Sequence, residues 1–279
     1  MSEATREKAR VKLSTFNRKL GYPKQWKDYS NLTITRDSYI SNFYACRQWG
    51  WNRMINKLGG PIDRTEWGMA PQIVNAYYNA GKNEIVFPAG ILQPPFLDPT
   101  RDDASLYAGI GSVIGHEITH GFDDQGARYD ETGTLNNWWT DEDSAKFAER
   151  TQMVVEQFSH YEPQDSLFVD GELTLGENIA DLGGVAMAFE AYMNSLKGKE
   201  KKIIDGYTPE QRFFIGYAQV WKANYTEEAM QRQVLTNPHA PNQYRVLGPL
   251  SNIPEFHQAF GCTAGDAMVR DEAVRPVIW

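Results

Sequence analysis

The stretch VIGHEITHGFDDQG, residues 113–126, sets two of the chain's five histidines four residues apart, with a glutamate directly after the first. On a helix four residues turn through about 400°, so His116 and His120 share one face, one turn apart. Two imidazoles so placed can bind one zinc ion through ring nitrogens at about 2.0–2.1 Å. Glu117 lies about 100° round the helix, off that line, and can reach a water on the metal without ligating it. Zinc brings the pKa of such a water toward about 7, and a carboxylate within reach takes its proton as the water attacks a carbonyl. The competing explanation is a chance match on a polar helix face. A match of this kind arises by accident on the order of once in a hundred chains of this composition. The residues before His116 are also too small and apolar for a solvated face.

A catalytic zinc of this type needs a third protein ligand and keeps one position open. The candidate lies in LTLGENIADLGG, residues 173–184. Glu177 follows a glycine at an expected helix start, and Asp181 falls one turn further along the same face. Glu177 can ligate. Asp181 can accept a hydrogen bond from the far nitrogen of a ligating histidine, which fixes its tautomer and raises its basicity. Taken alone, Glu177 is also what the dipole of any helix N-terminus favours. Asp123, three residues after His120, is a second such acceptor, with Asp124 competing for the role.

Several elements must hold these groups. Residues 2–21 read as an opening helix capped by Ser2 and stopped by Gly21, and residues 38–60 as a second helix ending at Gly59 and Gly60. VNAYYNAGKNEIVFPAG, residues 74–90, carries two aromatic or β-branched runs around a polar turn, which is a hairpin signal. A Pro-rich loop follows at 91–99. Residues 103–122 form one long helical pattern whose small residues suit tight packing. Thr140 and Asp143 open a helix over 140–158 by capping-box-like spacing, and residues 175–196 form another. Thr208, Pro209 and Gln211 give cap, first-turn proline and capping glutamine for the next. KGKEKK at 197–202 reads as a surface loop between helices. No domain boundary stands out over 1–279, and the fold class is α+β, mostly α, with a small sheet.

Composition narrows the partners. The 279 residues carry 28 Lys+Arg against 36 Asp+Glu, a net charge of −8, and no long basic run, which argues against nucleic acid. No apolar stretch approaches the roughly 18 residues of a membrane span. The charged N-terminus, MSEATREKARVKL, has no apolar core and does not read as a signal peptide. Cys46 and Cys262 make no disulfide framework; they read as two free, buried thiols, with one long-range bridge as the alternative.

VIGHEITHGFDD followed by LGENIADLGG resembles the neprilysin family of zinc endopeptidases, a group that includes endothelin-converting enzymes and bacterial oligopeptidases. VNAYYNAGKNEIVFPAGILQPPF, LNNWWT, YAQVW, NPHAPNQYRVLGPLSN and the terminal Trp279 are similar too, so the resemblance runs nearly end to end. It implies a thermolysin-like zincin catalytic domain built around the HExxH helix. His116, His120 and Glu177 would hold one zinc ion, with Glu117 as general base and Asp181 supporting a ligand. It implies that Asn75 and Ala76 bind substrate backbone from an exposed strand, that His239 stabilises the oxyanion, and that Arg245 holds a substrate carbonyl. Ile91, Phe96, Val220 and Trp221 would line an apolar pocket beyond the scissile bond. Substrates would be short peptides cut on the amino side of hydrophobic residues, outside the cytoplasm. From the residues alone, Asn75 reads as a turn residue and His239 as a loop histidine. His160 and His257 match no motif.

The resemblance covers only the C-terminal, catalytic part of the family, under half of its usual length. It therefore implies a further N-terminal helical lobe, absent from this sequence, that closes over the zinc and supplies arginines for the far end of the substrate. Without that lobe the alternative function is peptide binding without turnover. Cys262 stands where the family's cell-surface members have a bridged cysteine, but Pro276 stands where another would precede the tail. That pattern is similar to a bacterial member with Cys262 unpaired.

Overall fold

The computed structural model describes residues 1–278; the terminal Trp279 lies outside the described residues. Ser2 opens the first helix, its hydroxyl accepting the Thr5 N–H, but α1 runs only Glu3–Ser14. The expected continuation to Gly21 is instead a strand, β1 Asn17–Gly21. The helical spacing of apolar residues breaks at Phe16, which is buried with Ile85, Phe87 and Ile110 under the sheet. Pairing with a central strand then overrides the local helical preference.

Helix α2, Tyr39–Ile55, follows the expected start, capped by Ser38. The predicted hairpin is present as β2 Tyr77–Asn79 and β3 Glu84–Pro88, antiparallel, joined by a 3₁₀ turn at Ala80–Lys82. The sheet order is β1-β3-β2, with β1 parallel to β3 from Asn17↔Glu84 to Gly21↔Pro88. All five residues of β3 are buried, as a central strand covered on both faces requires. β2 is left as an edge.

The long helical pattern at 103–122 is three pieces: α3 Asp103–Leu106, a π-helical turn at Tyr107–Gly111, and α4 Ser112–Thr119. Within the π turn the Ile110 N–H donates to Phe96 O at 2.8 Å, tying the Pro-rich loop to the helix. Such turns inside α-helices recur near functional sites. After them come α5 Asp141–Ser159, α6 Leu175–Ser195, α7 Pro209–Val220, α8 Glu227–Thr236, α9 Asn242–Leu250 and α10 Pro254–Phe260. The Thr140 cap and the Thr208–Gln211 capping box form as expected. Residues 197–202 are an exposed loop. The fold is α+β and mostly helical.

Helix α6 is the axis of the core. One side packs Val185 and Phe189 against Phe213, Phe214 and Tyr217 of α7. Another packs Ile179 and Leu182 against Val154 and Phe158 of α5 and Tyr244 of α9. Helix α4 lies so close to α6 that neither can carry a side chain at the crossing. A methyl carbon at Gly115 would stand 2.7 Å from Gly184 O, and one at Gly184 would stand 2.7 Å from His116 N and Ser112 O. Those neighbours are backbone and cannot turn away. Gly184→Ala is therefore expected to destabilise the fold. Overpacking costs about 1–3 kcal/mol, against up to about 1 kcal/mol gained from removing a helical glycine. Urea unfolding checks this, and an unchanged or raised midpoint would show that the helices can part without cost.

Cys46 and Cys262 are free, as read, but neither is buried. Cys46 is exposed on α2, which has no buried residue at all, and Cys262 is half-buried just past the left-handed Gly261 that ends α10. Among the described residues no helix is long and apolar enough to cross a membrane.

Candidate metal centre

Helix α4 delivers the two histidines and α6 the carboxylate, across the glycine contact. His116 Nε2 lies 2.9 Å from His120 Nε2. Glu177 Oε2 is 3.2 Å from the first and 3.3 Å from the second. Ligands at about 2.0–2.1 Å on a tetrahedron stand about 3.3–3.4 Å apart; the two histidine–glutamate edges fall near that length, and the histidine–histidine edge is shorter. Glu177 Oε2 is buried and accepts no well-formed hydrogen bond, although three imidazole nitrogens crowd it. Burial alone would raise the Glu177 carboxyl; the imidazoles of His116, His120 and His239 outweigh it and hold it well below the usual range. An anionic oxygen and two ring nitrogens aimed at one point are a donor set that zinc satisfies. Among the described residues this is the one group of three His, Cys, Asp or Glu whose ligand atoms lie within 4.8 Å of one another.

The nitrogens facing away from that point are fixed by carboxylates. His116 Nδ1 is 2.8 Å from Asp181 Oδ1, and His120 Nδ1 is 2.6 Å from Asp123 Oδ2. An ionised carboxylate only accepts, so each Nδ1 carries the proton and each Nε2 presents its lone pair. Asp123 rather than Asp124 reaches His120; the Asp124 carboxylate accepts from Gln125 instead. Asp123 is itself held by the Gln125 and Gly126 N–H groups on Oδ1, at 2.9 and 2.6 Å.

Asp181 is gripped from its other side. Arg245 Nε donates to Oδ2 at 2.7 Å and Nη2 to Oδ1 at 2.8 Å. Burial would raise the Asp181 carboxyl, but the guanidinium outweighs it and holds the group down at about 2. The guanidinium carbon lies over Trp221, 3.8 Å from the ring centre, and the buried Tyr217 hydroxyl donates to Arg245 O at 2.9 Å. Sequence reasoning named Arg245 without this anchoring and missed Tyr217. The signal was the i,i+4 pair Tyr217 and Trp221 in YAQVW, which puts both rings on one face of α7.

Glu117 is buried beside the histidines, and its Oε2 accepts no hydrogen bond. Burial pushes its carboxyl up, opposed by the neighbouring imidazoles. That direction moves a base toward neutral working pH. His239 comes to the same point from the loop before α9, its Nε2 3.0 Å from Glu177 Oε2 and its ring parallel to that of His116. Asn75 is exposed and Ala76 buried, and both precede β2 instead of lying on it. They border a cleft of about 500 Å³ that also takes in Ile91, Phe96, Val220 and Trp221 with the metal-binding set. His160 is exposed, and the buried His257 pairs with Met268 O at 3.0 Å; neither belongs to this cluster.

The family model described as Peptidase family M13 matches residues 75–275. An endothelin-converting enzyme homolog of Locusta migratoria is 41% identical over 278 residues, which is 96% of this chain and 38% of that protein. Endothelin-converting enzyme 1 of Mus musculus is 41% identical over 96% of this chain and 36% of its own length. The inhibitor-bound crystal structure of the Mycobacterium tuberculosis zinc metalloprotease ZMP1 superposes with a TM-score of 0.97 at 48% identity, over all of this chain and 43% of that one. PepO of Lactobacillus rhamnosis superposes with a TM-score of 0.86 at 36% identity, over 99% of this chain and 42% of that one. The chain thus spans little more than a third of the length of these curated relatives.

Proposed function

Because the chain belongs to Peptidase family M13, the neprilysin family, we propose that residues 1–279 form one catalytic domain that hydrolyses peptides with zinc. The observation that carries this reading is the convergence of His116 Nε2, His120 Nε2 and Glu177 Oε2 to within 2.9–3.3 Å of one another. Bound there, one zinc ion supplies Lewis acidity to a carbonyl and to a water.

The chain's own residues do the rest. Glu117 accepts the proton of the attacking water and returns it to the leaving amine. His239 donates a hydrogen bond to the oxygen that gains charge in the transition state. Arg245, rigid between Asp181 and Trp221, directs its remaining N–H groups at a substrate carbonyl. Asn75 and Ala76, next to the free edge of the sheet, bind the extended substrate backbone. The apolar walls at Ile91, Phe96, Val220 and Trp221 favour a hydrophobic side chain just after the cut. The family resemblance supports an extracytoplasmic setting.

A quenched fluorescent peptide library tests this. The zinc-loaded chain is expected to cut on the amino side of hydrophobic residues, to lose activity to a strong chelator and to regain it with added zinc. Activity that survives complete zinc removal would sink the reading. The second reading, peptide binding without turnover, is favoured by the share of the relatives' length that lies outside this chain. It predicts saturable binding of a zinc-chelating peptide inhibitor with no peptide cut.

A further inference from the structure

The N-terminal helix sends one side chain to the far side of the metal centre. Lys12 is 1% exposed. Its Nζ donates to Gly121 O at 2.6 Å, Gly126 O at 2.7 Å and Tyr129 O at 2.6 Å, which uses all three of its hydrogens. The rings of Tyr78, Phe122 and Trp138 surround it at 5.5–5.9 Å. Among the described residues no carboxylate pairs with it directly, and its hydrogen bonds go to backbone carbonyls.

Those three carbonyls belong to the segment immediately after His120, which folds round the ammonium as round a bound cation. Within it the peptide that turns Gly126 O to Lys12 sends its own N–H, that of Ala127, to Asp123 O at 3.0 Å. The Gln125 and Gly126 N–H groups then meet Asp123 Oδ1, and Oδ2 is left to accept from His120 Nδ1. Without a cation at that point, three buried carbonyls would face one another, and the segment would have to open.

We propose that Lys12 is a positioning residue of the metal centre, a built-in cation that shapes the 121–129 loop so that Asp123 fixes the tautomer and orientation of His120. The inference rests on His120 being a zinc ligand, as argued above. Losing an outer-shell partner of a metal-bound histidine costs about 10- to 100-fold in affinity. Lys12→Met and Lys12→Gln are expected to weaken zinc binding by that order, Gln less than Met because its amide retains donors. Asp123→Ala is expected to show a similar loss. The decisive result is the combination: in the full chain, Lys12→Gln with Asp123→Ala binds zinc no worse than Asp123→Ala alone, because both changes act through one bond.

Zinc affinity is read by competition with a chromophoric chelator. The His120 Nδ1–H is read by nitrogen-15 NMR of the zinc-loaded protein. Where Lys12→Met fails to fold, the Gln variant carries the test, with its folding checked by circular dichroism. Support is a weakened affinity, a displaced or lost Nδ1–H signal in the Lys12 variants, and the non-additive double variant. A folded Lys12→Gln protein with wild-type affinity and an unshifted signal overturns the inference, as do losses that simply multiply. Wild-type chain that binds no zinc overturns the metal centre and this inference with it.

Discussion

Replacing Glu117 by Gln is expected to leave zinc binding near wild type and to slow peptide hydrolysis by roughly 100- to 10,000-fold, the range of a lost general base. Glutamine keeps the volume and polarity of a buried side chain but cannot take a proton. The neighbouring atoms proposed to hold zinc, His116 Nε2, His120 Nε2 and Glu177 Oε2, are untouched. Zinc content by mass spectrometry and kcat/KM on a fluorogenic peptide separate the two effects. A variant with near-full rates would remove Glu117 from the mechanism. A variant without zinc would mean that the carboxylate helps to hold the metal.

Asp181→Ala is expected to be the most disruptive change outside the ligands. It strands the buried Arg245 guanidinium and frees His116 Nδ1 at one stroke. Breaking a buried pair by removing one partner costs about 3–5 kcal/mol, and the freed imidazole should weaken zinc binding about 10- to 100-fold. The pair also carries a pH signature. The Asp181 carboxyl is held at about 2 against an ordinary 3.8, so the folded state binds its proton less readily than the unfolded chain. Its contribution to stability is fully present above about pH 4 and is lost as pH falls toward about 2. In urea unfolding of zinc-free protein, the gap between wild type and Asp181→Asn should narrow over that window. A gap that is constant from pH 6 to pH 3 would show that the charge on Asp181 does not matter.

Much of this was legible in the sequence for a physical reason: helix periodicity is a short-range rule. The spacing of His116 and His120, and of Glu177 and Asp181, fixes which side chains share a face before any fold is known. Caps at Ser2, Thr140 and Thr208 and the hairpin at 77–88 are equally local. What failed was long-range. Residues 17–21 look helical by themselves and become a strand because β3 offers a ladder. Cysteines are usually buried, which is why the sequence suggests a buried Cys46, but α2 carries no buried residue. Arg245 was nameable by resemblance, yet its grip on Asp181, 64 residues away, is invisible to spacing. Lys12 stood in a run of charged residues with no local mark that it enters the core.

The bare crossing of Gly115 and Gly184 has a consequence for which ion the chain accepts. His116 and His120 ride on one helix and Glu177 on the other, so the distance between helices sets the His-to-Glu edges of the ligand triangle directly. On a tetrahedron each 0.1 Å of added bond length lengthens an edge by about 0.16 Å. Spreading the two axes by a few tenths of an ångström would thus refit the cage to a larger ion with longer bonds. Two missing methyl groups thus set the width of the candidate cage from a point outside it.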